Sequence, residues 1–158
     1  MKTAVAIDGL SYAYGNTAVL KQVGFSVAAG DFFVIIGPNG SGKTTLMKLM
    51  AGLEKPPQGK LSILGREIQS YKKKDLARKI AFVPQDVPTD FPFSVMEVVL
   101  MGRSPYQGTL GLERTRDVEK AEQAIAFTGV SHLTHRKLNA LSGGERQRVF
   151  IARAICQE

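Results

Sequence analysis

Hydrophobic and polar residues alternate along the first third of the chain in the way that β-strands require. The stretches AVAI (4–7) and VLKQVGFSV (19–27) alternate, whereas Phe32 to Ile36 form a continuously apolar run. Alternation is typical of a strand with one buried face, and a continuous run predicts a parallel strand buried on both faces. The patterns KLSILG (60–65) and KIAFVPQ (79–85) predict two further short strands.

Helical spacing replaces alternation in the rest of the chain. KTTLMKLMAG (43–52) predicts a helix that stops at Gly52, and LERTRDVEKAEQAIAFTG (112–129) predicts an amphipathic helix that stops at Gly129. Two further helix starts carry a capping box, in which a serine is followed three residues later by a glutamate: Ser94 with Glu97, and Ser142 with Glu145. The order is therefore a β-rich start, a strand–loop–helix unit and a helical block.

Composition and charge restrict the function classes. The 158 residues are 44% hydrophobic and 22% charged, which is ordinary for a globular protein, with a net charge of +7. The basic cluster YKKKDLARK (71–79) is interpreted as a solvated helix face, with phospholipid or nucleic acid as the alternative. Cys156 is the lone cysteine, so no internal disulfide forms and a reducing compartment fits. We find no signal peptide pattern and no apolar run near the ~18 residues of a membrane span.

The stretch GPNGSGKTT predicts a site for a nucleoside triphosphate, because it matches G-x-x-x-x-G-K-[ST] between an apolar run and a helix. Its glycines let backbone N–H groups turn toward phosphate oxygens, and the following helix adds its positive end. Lys43 supplies a charge to the β- and γ-phosphates, and the Thr44 hydroxyl is a candidate Mg²⁺ ligand. The predicted binding residues are Gly37, Pro38, Asn39, Gly40, Ser41, Gly42, Lys43, Thr44 and Thr45.

A second motif, LSGGERQ (141–147), opens the last predicted helix. A serine and two glycines at a helix start present a hydroxyl and open backbone N–H groups, which favours an anion. Together with the phosphate loop, this motif resembles the signature of the ATP-binding-cassette (ABC) ATPases over essentially the whole chain. The resemblance implies that Ser142, Gly143 and Gly144 contact ATP in trans, on the loop of a second, head-to-tail protomer.

The resemblance also assigns two single residues. Tyr14 falls where the family places an aromatic ring on adenine, with Tyr12 as the competing choice. Gln85 falls at the Q-loop glutamine, which reaches Mg²⁺ and the attacking water. Lys43 and Gln85 are thus the candidate catalytic residues, Thr44 and Gln85 the candidate metal ligands, and ATP and Mg²⁺ the implied cofactors.

The implied fold is α/β. It has a P-loop, RecA-like core, an N-terminal antiparallel β subdomain and an inserted α-helical signature subdomain. We expect 1–89 to hold the β subdomain and the P-loop core up to the Q-loop, 90–141 the helical subdomain, and 142–158 the signature helix.

The segment FSVMEVVLMGRSPYQG (93–108), and GRSPY (102–106) within it, resembles importer ATPases that serve iron–siderophore, haem and cobalamin permeases. The implied partners are a second ATPase protomer, transmembrane permease subunits and, indirectly, a substrate-binding protein, on the cytoplasmic face of the membrane; no nucleic acid is expected. An exporter ATPase, or a cassette protein acting on nucleic acid or ribosomes, stays an alternative.

Hydrolysis in the family needs an apolar strand ending in Asp-Glu, a D-loop and a later switch histidine. None follows the signature here, and His132 and His135 precede it, so neither is the switch histidine. Their spacing of i, i+3 would suit a metal pair, but no carboxylate or cysteine accompanies them, and both are interpreted as surface residues. The sequence thus resembles the amino-terminal part of a longer ATPase with an incomplete core sheet. We expect it to bind ATP without hydrolysing it. Residues 32–36 should expose apolar surface and make the chain marginally stable or prone to aggregate.

Overall fold

The computed structural model describes residues 2–85, 92–107 and 115–158. The chain forms two compact units, Met1–Leu76 and Ala77–Glu158. The described part of the first unit combines a sheet with a helix of two turns and shorter helical segments, and that of the second unit is helical.

The sheet of the first unit has four strands in the order β2-β1-β3-β4, and each neighbouring pair is antiparallel. The strands are β1 (Thr3–Tyr14), β2 (Thr17–Ala28), β3 (Gln58–Ile63) and β4 (Arg66–Glu67). The predicted antiparallel β subdomain is therefore present. The short β4 was not predicted, and Leu64 and Gly65 reverse the chain before it with φ values of 52° and 78°. Two positive φ values suit the twist of a tight hairpin.

Helix α1 (Lys43–Met50) follows the phosphate loop and buries one face, formed by Thr45, Leu46 and Leu49. It ends where predicted. Gly52 has a φ of 70°, and its N–H donates to the carbonyl of Leu49 at 3.0 Å. A left-handed residue after the last turn is the usual end of a helix, and glycine adopts it at least cost. The short helix α2 (Lys73–Ala77) comes later.

The second unit packs three helices around one core: α3 (Val95–Leu100), α4 (Thr115–Phe127) and α5 (Gly143–Cys156). Both predicted capping boxes are formed, at the starts of α3 and α5. Gly129, with a φ of 70°, follows α4 and confirms the predicted stop. The largest fully buried side chains of this core are Val95, Val98, Val99, Ile125, Val130, Leu133, Leu138 and Val149.

Two strand predictions are wrong. Neither 32–36 nor 79–85 forms a strand, because neither has a hydrogen-bonded partner strand among the described residues. Phe32 and Ile36 are 95% and 88% exposed instead of buried. The expectation that this run exposes apolar surface is thus confirmed, while its strand character depends on a neighbour that the sheet does not supply. Within the described ranges, no helix has the length and apolar character needed to cross a membrane.

Candidate functional site

The phosphate loop is closed by the side chain of its lysine. The Lys43 ammonium donates to the carbonyls of Gly37 at 2.8 Å and Pro38 at 2.7 Å, and lies 3.5 Å from the Ser41 hydroxyl. The Ser41 N–H donates to the Pro38 carbonyl at 3.3 Å, so the loop turns back on itself. A positive charge is thereby held among the backbone groups of the loop.

The loop needs its glycines for two different reasons. Gly40 has a φ of 80° with open space where a Cβ would lie, so its backbone conformation selects glycine. Gly42 has a φ of 88°, and a Cβ there would lie 2.8 Å from Leu20 Cδ2. The loop therefore approaches the sheet on one side and stays open on the other.

The helix after the loop starts without a side-chain cap. Gly42 is its N-cap residue and supplies no side-chain cap, and no acidic residue lies in the first turn. In contrast, α3 and α5 both start with capping boxes. Uncapped N–H groups at the positive end of a helix, beside a lysine, fit a phosphate group. The two threonines of the first turn differ in exposure: Thr44 is exposed, whereas Thr45 is buried, with 8% of its surface exposed.

The two candidate tyrosines have different surroundings. Tyr12 donates its hydroxyl to Glu54 Oε2 at 3.2 Å, and partial burial and the Glu54 carboxylate raise the pKa of Tyr12. Tyr14 is 47% exposed and meets Tyr12 edge-on, with ring centroids 5.0 Å apart. Tyr14 therefore has an accessible ring face, while Tyr12 is engaged within the unit.

Gln85 is exposed and lies in a bend, not at the end of a strand as predicted. The segment that follows it, 86–91, and the predicted helix start at 112–114 lie outside the described residues. His132 and His135 are exposed. Among the residues that the structure describes, no group of three or more His, Cys, Asp or Glu side chains forms a candidate metal site.

The signature residues form the first turn of α5. Ser142 donates its N–H and its hydroxyl to Glu145 Oε2 at 2.7 and 2.6 Å, and the Glu145 N–H donates back to Ser142 Oγ at 3.4 Å. These hydrogen bonds hold the pKa of Glu145 below its usual range, with smaller contributions from nearby cations. Gly143 and Gly144 are exposed, and a Cβ at either would meet nothing within 4 Å. Nothing within the described part of the chain requires glycine there.

Sequence reasoning missed a buried ion pair in the second unit. Arg103 and Asp117 are each 5% exposed, and Arg103 Nε donates to Asp117 Oδ1 at 2.9 Å. A Cβ on Gly102 would collide with the carbonyl of Arg153 in α5. The stretch GRSPY is thus part of the packing of this unit. Its Gly-Arg pair is visible in the sequence, but nothing there marks Asp117 as the partner.

A family model and similar proteins of known family point to the same family. The model of the ABC transporter family matches residues 20–158. The manganese transport system ATP-binding protein MntB of Bacillus subtilis is 41% identical over 155 residues, which are 97% of this chain and 60% of that protein. The hemin import ATP-binding protein HmuV of Gloeobacter violaceus is 40% identical over 149 residues, 94% of this chain and 54% of that protein.

A solved structure agrees with the sequence relatives. The crystal structure of a nucleotide-free ATP-binding cassette from an ABC transporter superposes with a TM-score of 0.81 at 29% identity, covering 98% of this chain and 65% of that chain. Against the first curated relatives, the chain spans from 34% to 60% of their length.

Proposed function

The chain belongs to the ABC transporter family, and we propose that it is an ATP-binding subunit that couples ATP to membrane transport. Its P-loop α/β fold, with the antiparallel β subdomain and the helical signature subdomain, is the fold of that family. The observation that carries the proposal is the open phosphate loop, in which Lys43 and the uncapped start of α1 face the same backbone turn.

In this proposal, the backbone of 37–45 binds the phosphates of ATP, and Lys43 moves from its carbonyl partners to the β- and γ-phosphates. An ammonium already held beside the loop needs only a short rotation of its flexible side chain to do so. The exposed Thr44 hydroxyl would hold Mg²⁺, which neutralises charge on the phosphates when bound. The family resemblance is the ground on which Gln85 stays a second candidate ligand. Tyr14 offers its exposed ring to adenine.

The role of the signature in trans rests on its glycines. Gly143 and Gly144 lower the stability of a helix start, and no packing within the described residues requires them. Glycines there leave the N–H groups of Gly143 and Gly144 accessible to a phosphate on another molecule, while the Glu145 N–H is capped by Ser142. We therefore propose a head-to-tail homodimer in which Ser142, Gly143 and Gly144 meet the ATP that the partner protomer holds.

The proposed direction of transport is import, and the proposed cargo belongs to the iron–siderophore, haem or cobalamin class. Support comes from the similarity to the hemin import protein HmuV and from the segment 93–108. The partners would be transmembrane permease subunits and, through them, a substrate-binding protein, with this subunit on the cytoplasmic face of the membrane.

For the 158-residue chain itself we propose ATP binding without turnover. No Asp-Glu pair occurs anywhere in the 158 residues, so the carboxylate that activates water in the family is not supplied. The family as a whole hydrolyses ATP.

The test measures binding of a fluorescent ATP analogue to the purified chain with Mg²⁺, and phosphate release in the same samples. Lys43→Ala should abolish binding, and Lys48→Ala, a change in the same helix outside the loop, should leave it intact. Lack of binding by the wild-type chain would refute the proposal. Phosphate release abolished by Lys43→Ala would refute only the absence of turnover.

A further inference from the structure

A buried guanidinium, that of Arg103, contacts the C-terminal end of α5, where Lys120 Nζ also donates to the backbone oxygen of Glu158 at 2.8 Å. Arg103 Nη1 donates to the carbonyl of Cys156 at 3.0 Å and to that of Glu158 at 2.7 Å. Its Nε donates to Asp117, at the start of α4, and its Cζ lies 4.0 Å from the ring centre of Tyr106. One side chain thus joins α4, the turn after α3 and the last residues of α5.

The contact with Cys156, the last residue of α5, satisfies a carbonyl that the helix end leaves open, and the contact with Glu158 lies just beyond the helix. The last carbonyls of a helix have no partner within the helix and carry the negative end of its dipole, so a cation there is favourable. The rigid, planar fork of arginine fixes the directions of its hydrogen bonds, which a lysine ammonium does not. The Arg103 contacts therefore constrain both the position of α5 along its axis and its rotation.

The same segment of chain is also fixed near the start of α5. The N–H groups of Val95 and Met96 donate to the carbonyls of Arg136 and Thr134, each at 3.0 Å, and the N–H of Leu138 donates to the carbonyl of Phe93 at 2.9 Å. Residues 93–103 thus contact both the stretch that leads into the signature and the far end of the signature helix.

We propose that Arg103 is a positioning residue for the signature turn Ser142–Gly144, acting through α5. An α-helix is stiff and rises about 1.5 Å per residue, so a slide or rotation at its C-terminal end displaces the first turn by a similar amount. Loss of the Arg103 fork should therefore misplace the N–H groups of Gly143 and Gly144. This inference rests on the proposed function, since it concerns how the signature meets ATP on a second protomer.

The experiment uses the 158-residue chain and three readouts: affinity for a fluorescent ATP analogue at low protein concentration, ATP-dependent self-association by sedimentation velocity, and the thermal midpoint. Arg103→Met should keep the affinity of the phosphate loop, which belongs to the other unit, and weaken ATP-dependent association by roughly tenfold to a hundredfold. Arg103→Lys should give an intermediate loss.

Two further variants separate positioning from stability. Ile125→Ala empties part of the same core, and we expect it to lower the thermal midpoint while association is kept. The double variant Arg103→Met with Asp117→Leu replaces the ion pair by apolar side chains, which often recovers stability. It should raise the midpoint relative to Arg103→Met without restoring association, because the Cys156 and Glu158 carbonyls still lack the fork.

The measured association constants and thermal midpoints separate the positioning role of Arg103 from the proposed function. Association of Arg103→Met at wild-type strength, or recovery of association in step with the thermal midpoint across the four variants, overturns the positioning role and leaves the proposed function intact. A wild-type chain that binds ATP but stays monomeric refutes the role of the signature in trans, and the inference falls with it.

Discussion

Tyr12 and Tyr14 lie two residues apart in β1, and only the Tyr12 hydroxyl has Glu54, 42 positions later in the chain, as its hydrogen-bond partner. Glu54 accepts the Tyr12 hydroxyl, so that side chain serves the packing of the first unit. Tyr14 keeps nearly half of its surface exposed. An exposed, sparsely held ring is available for stacking, whereas an engaged one is not.

Replacing Tyr14 by alanine should weaken binding of ATP by about tenfold, because stacking between a base and an aromatic ring contributes roughly 1–3 kcal/mol. Tyr12→Phe is the matched control. It removes the hydrogen bond to Glu54, keeps the ring, and should leave the affinity for ATP unchanged. Isothermal titration with ATP and Mg²⁺ measures both, and a larger loss in Tyr12→Phe than in Tyr14→Ala would reverse the assignment.

Gly144→Ala should separate stability from function. The added methyl group lies in open space in a helix, so the free energy of unfolding should stay constant or rise by up to about 1 kcal/mol. Association driven by ATP should fall, because the methyl group covers the N–H groups offered to the second protomer. Thermal melts measure the stability of the variant, and sedimentation with ATP measures its association. A variant that is no less stable and associates normally would argue against a role of the signature in trans.

At the scale of elements, α3 and α5 both start with a capping box, and Gly102 after α3 packs against the backbone of α5. Each begins at a serine whose N–H and hydroxyl bond a glutamate three residues on. Gly102, after α3, lies so close to the carbonyl of Arg153 that no Cβ fits between them. The capping boxes fix where the helices begin, and Gly102 fixes how closely they pack.

Gly102→Ala should destabilise the second unit by about 1–3 kcal/mol, because the backbone of α5 cannot yield as a flexible side chain would. Gly129→Ala is a different case, since its Cβ meets nothing and its cost comes from a φ of 70° alone. Urea unfolding of both variants should show the larger loss at Gly102. Equal losses would mean that α5 shifts to accept the methyl group.

The capping boxes also predict a dependence on pH. The Ser94 and Ser142 hydroxyl and N–H groups hold the pKa of Glu97 and Glu145 below the usual range. The folded pKa is thus below the unfolded one, about 4.3, so the stabilisation is fully present above that value and is lost as the pH falls through the folded pKa. Urea midpoints between about pH 6 and 3 should therefore fall less steeply in the Glu97→Gln, Glu145→Gln double variant than in the wild-type chain. Identical dependence of the urea midpoint on pH in both chains would contradict the lowered pKa of Glu97 and Glu145.

At the scale of the whole chain, the exposed apolar run 32–36 is the feature most in conflict with an isolated globular protein. Phe32, Val34 and Ile36 all expose more than half of their surface. An apolar segment with unpaired backbone groups is a site for pairing with another chain.

Changing Phe32 and Ile36 to serine should raise the concentration at which the chain begins to aggregate, with no loss of thermal stability, since neither side chain is buried. Phe127→Ser provides the control, because Phe127 is 81% exposed but lies in the helical unit, at the end of α4. Static light scattering over a concentration series compares them. If Phe127→Ser reduces aggregation and the Phe32, Ile36→Ser variant does not, the surface that causes aggregation lies outside residues 32–36.

Features that depend on a few neighbouring residues can be predicted from local sequence patterns. The phosphate loop, both capping boxes, and the stops at Gly52 and Gly129 follow from local backbone and hydrogen-bond preferences, which a short window of sequence contains. Tertiary structure decided what depends on a distant partner. Residues 32–36 are not a strand without a neighbour to pair with, Tyr12 is distinguished from Tyr14 by Glu54, and Arg103 acquires its role from Asp117 and the end of α5. Such contacts depend on which segments the fold brings together, and that information is absent from any local pattern.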